Sequence, residues 1–178
     1  MTPEFGNSRT AIVTGSARRI GAAMARALAA DGWDVVVHCN RSGAEAEGVK
    51  AEIEAAGGRA RILQADLADA GAAARLIAEA AGEGPPIGLL VNNASRFDYD
   101  THLDFDLDGW TRHLDVNLRA PALLTQAFAK ALPEGLTGLV VNMLDVKLFA
   151  LNPDFFTYTI SKYGLLGLTE LSARALAP

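Results

Sequence analysis

Short apolar runs alternate with longer stretches in which apolar residues recur at helical spacing. Residues 10–14 (TAIVT) form a short apolar run that stops at Gly15. Residues 20–30 carry helical periodicity up to Asp31 and Gly32. Residues 34–39 (DVVVHC) are β-branched and almost wholly apolar, the composition of a strand buried on both faces. A helix over 43–56 closes at Gly57 and Gly58, and residues 61–65 read as a third strand. Asp69 can cap a helix running to about residue 81. Residues 87–91, entered through Pro85 and Pro86, read as a fourth strand. Residues 92–109 are irregular and acidic, and a helix is predicted over 110–132. A fifth strand over 139–143, a loop over 145–157 and a helix over 158–177 complete the pattern.

Strands alternating with helices predict an α/β fold: a doubly wound, Rossmann-type parallel sheet with helices on both faces, expected as a single dinucleotide-binding domain over 1–178. The crevice of such a sheet lies at the carboxyl ends of its strands. Gly15, residues 38–42, Asp66, residues 92–95 and Asp145 all fall at those ends, so five separate segments are expected to converge. No strand pattern follows the last helix, so the fifth strand is expected at an open edge, in a chain truncated relative to a complete sheet. Whether residues 2–8 are a native tail or a cloning remnant is open.

Composition narrows the function classes. The 178 residues are 50% hydrophobic and 21% charged, with a formal net charge of −5. No Lys/Arg-rich run suggests nucleic acid. No apolar stretch approaches the ~20 residues of a membrane span. Cys39 is the single cysteine, and no His/Cys cluster suggests a metal. A cytoplasmic protein acting on a small molecule is expected.

The chemistry sits in the strand ends. In Thr14-Gly15-Ser16-Ala17-Arg18-Arg19-Ile20-Gly21, Gly15 permits a sharp exit from the strand and Gly21 lets the helix pack close, so that free N–H groups can receive a pyrophosphate. Arg19 reads either as a tolerated surface residue or as a cation placed beside an anionic ligand. The stretch His38-Cys39-Asn40-Arg41-Ser42 lacks the carboxylate usual for NAD. Arg41 and Ser42 can instead hold the 2′-phosphate of NADP. Asp66 suits an adenine contact or an ordinary loop cap. Asn93, Ala94 and Ser95 suit close backbone approach to a cofactor or plain turn chemistry.

Tyr158 and Lys162 are four apart and share a helix face. A neighbouring ammonium favours phenolate and predicts a tyrosine pKa below its usual value of about 10. Such a tyrosine can deliver a proton while hydride arrives from a nicotinamide. Asn117, unfavourable within a helix, is either a solvent-facing polar residue or a hydrogen-bonding one.

TGSARRIG, NNAS, DVN and YTISK, in this order and spacing, make the chain resemble the short-chain dehydrogenase/reductase family over nearly its whole length. The resemblance implies Tyr158 as proton donor, Lys162 as the group that lowers its pKa and holds the ribose, and Asn117 as support for a water-linked relay. Three departures resemble the pteridine reductase branch: Arg19 for the middle glycine, Asp145 for the usual serine, and Arg96-Phe97 after Ser95.

That branch implies that Phe97 stacks a pterin, that Ser95 and Arg19 line its pocket, and that Asp145 acts with Tyr158. It further implies that Gly15, Arg19, Ile20, Gly21, His38, Asn40, Arg41, Ser42, Asp66, Asn93, Ala94, Ser95, Tyr158 and Lys162 hold NADP(H), with His38, Arg41 and Ser42 at its phosphate. Asp145 beside such a tyrosine is expected to have a raised pKa. The function expected is NADPH-dependent reduction of a pteridine. The alternatives are an NADP-dependent carbonyl or 3-oxoacyl reductase, or a non-catalytic dinucleotide-binding fragment. Family resemblance also implies a homodimer or homotetramer.

Overall fold

The computed structural model describes residues 9–82 and 85–177, so residues 2–8 lie outside it. Five strands form one parallel sheet: β1 (Thr10–Val13), β2 (Asp34–Cys39), β3 (Arg59–Gln64), β4 (Ile87–Asn92) and β5 (Leu139–Asn142), in the order β3-β2-β1-β4-β5. The order reverses between β1 and β4, which opens a crevice at the carboxyl ends of those two strands.

Side chains alternate across the sheet with the period of two that extended backbone imposes. Ala11, Val13, Val35, Val37, Leu89 and Val91 pack one face against α1 (Arg19–Ala30) and α2 (Gly43–Ala55). Ile12, Val36 and Leu90 pack the other against α3 (Ala70–Ala81) and α5 (Ala120–Ala131), through Leu76, Ile77, Leu124 and Phe128. Because β1 and β2 lie between neighbours and under helices on both faces, their sequences are apolar without alternation.

Several boundaries differ from the sequence pattern. β3 begins two residues early, at Arg59, because pairing with Asp34 and a 2.6 Å ion pair between the two side chains extend this edge strand. The helix expected over 110–132 is three pieces: α4 (Leu107–Leu114), a π-helical turn (Asp115–Arg119) and α5. α4 starts early because the Asp106 carboxylate accepts the Gly109 N–H at 2.6 Å. The wide turn precedes Pro121, which has no N–H to return to the Asn117 carbonyl.

The expected loop after β5 contains a 3-10 turn (Val146–Leu148) whose Lys147 N–H is accepted by Asp145 at 2.9 Å. α6 (Phe156–Leu176) begins at Phe156 rather than Tyr158. Its opening N–H groups are capped from another loop: Asp100 accepts from Phe156 N (3.3 Å, main-chain O) and Thr157 N (3.1 Å, side chain). Among the described residues no helix is long and apolar enough to cross a membrane, and no group of His, Cys, Asp or Glu could hold a metal.

Candidate active site

The turn after β1 is built by close approach. Gly15 has φ +64°, and a Cβ there would stand 2.9 Å from Ala94 Cα. A Cβ on Gly21 would stand 2.5 Å from both Asn93 Nδ2 and the Gly15 carbonyl oxygen. Asn93 Nδ2 donates to the carbonyls of Thr14 (2.8 Å) and Gly15 (3.2 Å), and the Thr14 hydroxyl accepts from Asn93 N (2.9 Å) and Ala94 N (3.0 Å). Asn93 and Ala94 therefore shape the turn from beneath. The first turn of α1, with Ile20 and Gly21, has no capping side chain and no acidic residue, which leaves N–H groups open to an anion.

Arg19 is exposed and has φ +51°, a left-handed conformation that costs a side-chain-bearing residue about 1–2 kcal/mol. It makes no ion pair among the described residues, whereas its neighbour Arg18 pairs with Glu45. Arg41 is likewise exposed and without an ion pair, beside the half-buried Ser42, whose hydroxyl caps no N–H of α2. Asn40 is exposed and accepts from Gln64 Nε2 through its carbonyl at 2.7 Å. Asp66 is exposed and accepts from Ala68 N at 2.9 Å, the ordinary loop cap that its sequence context allowed.

His38 requires a correction. The resemblance put it at the NADP phosphate, but its side chain is 2% exposed and lies under the turn. Its Nδ1 accepts from Gly15 N (3.0 Å), and Nε2 bonds the Ala65 carbonyl at 3.2 Å. Burial lowers its pKa to about 4, against smaller opposing effects of the Ala65 bond and the Asp66 charge. The ring is a neutral buttress of the turn.

At the ends of β5 and α6 the chemistry converges. The Tyr158 hydroxyl donates to Asp145 Oδ2 at 2.6 Å. Lys162 Nζ donates to the Met143 carbonyl at 2.7 Å and lies 5.6 Å from the Tyr158 ring centroid. The electrostatics reverse both pKa expectations. Tyr158 is raised above the ordinary phenol range by burial first, then by the hydrogen bond to Asp145 and by its charge; Ser95 opposes weakly. At Asp145 burial acts upward, but the bonds from Tyr158 and Lys147 N, with the charges of Lys162 and Lys147, outweigh it and lower the pKa. Burial lowers Lys162, opposed by Asp145. The resting pair is thus a protonated phenol on an ionised carboxylate.

Asn117 is buried in the π-helical turn. Its Oδ1 accepts from Arg96 N (2.7 Å) and Ser95 Oγ (3.3 Å), and its Nδ2 donates to Arg96 O and Ser161 Oγ, both at 2.9 Å. Its side chain thus ties the loop after β4 to α6 and is closed to water.

Phe97 is 53% exposed. One ring face stacks on Phe155 (centroids 4.1 Å apart, 7° between planes), and an edge contact reaches Tyr158 (4.6 Å, 80°). Phe155 is left-handed (φ 57°), which sends it toward Phe97 and Tyr99 while Phe156 turns to Phe105, Trp110 and His102. Lys147 lies 5.2 Å over Phe155. Sequence reasoning missed Phe155 and Lys147; the adjacent phenylalanines just before YTISK were the available signal for the first.

Residues 9–178 match the family model described as short chain dehydrogenase. A 3-oxoacyl-[acyl-carrier-protein] reductase of Synechocystis sp. is 36% identical over 170 residues, covering 96% of this chain and 69% of that protein. The crystal structure of FolM Alternative dihydrofolate reductase 1 from Brucella suis in complex with NADP superposes with a TM-score of 0.90 at 45% identity, covering 95% of this chain and 70% of that one. A short chain dehydrogenase from Burkholderia cenocepacia, also in complex with NADP, gives a TM-score of 0.90 at 38% identity over 98% of this chain and 70% of that one.

Proposed function

Since this chain belongs to the short-chain dehydrogenase family, we propose that it is an NADPH-dependent reductase of a pterin-type ring, with the Tyr158–Asp145 pair delivering the proton from the phenol. The observation that carries the reading is the 2.6 Å bond between Tyr158 and Asp145 beside the exposed Phe97 ring. A flat heteroaromatic ring fits against an aromatic face. A carboxylate paired with a phenol offers donor and acceptor together to the amino and imino groups of a pterin.

The residues present fit NADP(H). The uncapped first turn of α1 suits the pyrophosphate, with Gly15 and Gly21 leaving the space that a Cβ would fill. Arg41, without an ion pair among the described residues, and Ser42, whose hydroxyl caps no N–H of α2, suit a 2′-phosphate, and Arg19 adds positive charge at the turn. When bound, the nicotinamide supplies hydride. Tyr158 then releases its proton to the ring nitrogen at the other end of the reduced C=N bond, and Lys162 offsets the negative charge left on the Tyr158–Asp145 pair. Asn117 orients this ensemble through Ser161 and Arg96 without touching substrate.

The second reading, a 3-oxoacyl reductase, is favoured by the relative from Synechocystis sp.. NADPH oxidation by this chain, offered 7,8-dihydropterin and separately a 3-oxoacyl thioester, decides between them. Turnover confined to the dihydropterin supports the proposal; turnover confined to the thioester overturns it. No turnover with either, despite NADPH binding, rejects the reductase reading for this chain.

A further inference from the structure

The loop between β4 and α4 follows a rule of alternate residues. Arg96 is held by Asn117 in the π-helical turn, Asp98 by His113 on α4, and Asp100 by Phe156 and Thr157 on α6. Phe97 and Tyr99, between the anchors, and Ser95, just before the first, are exposed, as is the side chain of Asp98, which is held through its main-chain N–H. Phe97 and Tyr99 meet Phe155, and the Ser95 hydroxyl donates to Asn117 Oδ1 at 3.3 Å.

Two of the anchors share one buried relay. Asp98 N donates to His113 Nε2 at 3.1 Å, so the ring proton sits on Nδ1. Nδ1 is 3.0 Å from the Gly109 carbonyl and 2.7 Å from Thr157 Oγ1. The Thr157 hydroxyl in turn donates to Asp100 Oδ2. His113 is 1% and Thr157 0% exposed, and the His113 ring lies 6.4 Å from that of Tyr158. Buried groups this fully paired are costly to disturb. Helices α4 and α6 and the loop carrying Phe97 are thereby held together behind the proton donor.

We propose that His113, Thr157 and Asp100 are positioning residues of the reductase site. They hold the Phe97 ring at a fixed depth beside Tyr158, so that the opening admits a flat ring and disfavours a flexible acyl chain. The substrate side of this inference rests on the pterin reading; the mechanical side does not.

The test is Thr157→Val, which keeps the shape and removes the hydroxyl, beside Thr157→Ser, which restores it, and Asp100→Asn as an independent break. Three quantities are measured: hydrogen exchange at the Asp98, Phe156 and Thr157 amides, the NADPH Kd, and KM and kcat for 7,8-dihydropterin. Thr157→Val removes the hydroxyl's bonds to His113 and Asp100 and is expected to raise the dihydropterin KM roughly tenfold. Exchange at the three amides should accelerate, the NADPH Kd should hold, and Thr157→Ser should return to wild type. Unchanged exchange in both Thr157→Val and Asp100→Asn overturns the proposal. So does a parallel loss of NADPH binding with faster exchange throughout the sheet, which marks general destabilisation. If the wild-type chain ignores dihydropterin, the pterin reading fails by itself, and exchange still decides whether the relay holds the loop.

Discussion

Acidification should weaken this fold through His38, and the size of the effect follows from its burial. In an unfolded chain the imidazole titrates near 6.5; under the turn it titrates at about 4. Between those values the unfolded state binds a proton that the folded state refuses, so stability rises with pH across the window. Above it both states are neutral and no further gain occurs. At about 1.4 kcal/mol per pKa unit, the full descent through the window costs about 3 kcal/mol, a large share of the roughly 5–15 kcal/mol that holds a domain together.

The physical event is local: a proton on Nδ1 faces the Gly15 N–H that it now accepts. Urea unfolding at stepped pH, for the wild type and for His38→Asn, isolates the contribution. Asparagine retains an acceptor near the Nδ1 position and does not titrate. The wild-type advantage should therefore shrink by about 3 kcal/mol from pH 6.5 downward to about 4. Parallel curves would refute the assignment of His38 as a neutral buttress.

Three further outcomes are expected. Tyr158→Phe should bind NADPH as the wild type does and lose roughly 10²–10⁴-fold in turnover, the usual contribution of a positioned acid; near-normal steady-state rates would remove Tyr158 from the chemistry. Arg41→Ala should raise the NADPH Kd by roughly 10–100-fold, the worth of a charge-assisted hydrogen bond, and leave the NADH Kd alone; equal losses in fluorescence titrations would place the 2′-phosphate elsewhere. Asp145→Asn removes the hydrogen-bonded charge that helps hold the Tyr158 proton, so tyrosinate should appear at lower pH in an ultraviolet difference titration, and an unmoved titration would contradict the pairing.

The strands were legible where their surroundings are simple. β2, with neighbours on both sides, was found at Asp34–Cys39, whereas β3, at the sheet edge, gains its start from Asp34 rather than from its own pattern. The helix that carries Tyr158 and Lys162 was visible in their spacing. The direction of the tyrosine shift was not, because burial and Asp145 act on it only after β5 and α6 are brought together. The resemblance put His38 at the cofactor phosphate, and nothing in its strand reveals that Gly15 will lie on top of it. The relay of His113, Thr157 and Asp100 left no local trace at all: its bonds join residues 44 and 57 positions apart. Phe97 stands out in the sequence only through the family resemblance; the ring behind it, Phe155, depends on a single left-handed residue that no propensity anticipates.

That residue makes the junction intolerant of changes in length. Phe155 and Phe156 leave the backbone toward opposite sides, one to Phe97 and the other to Phe105 and Trp110. Deleting one amino acid between Asp154 and Thr157 would remove one of the two rings, and inserting one would shift Phe155 out of the left-handed position that aims it at Phe97. Libraries meant to retarget this scaffold should therefore randomise identities here and keep the count of residues constant, and a relative with a different count at this junction should be expected to build its ligand wall from other side chains.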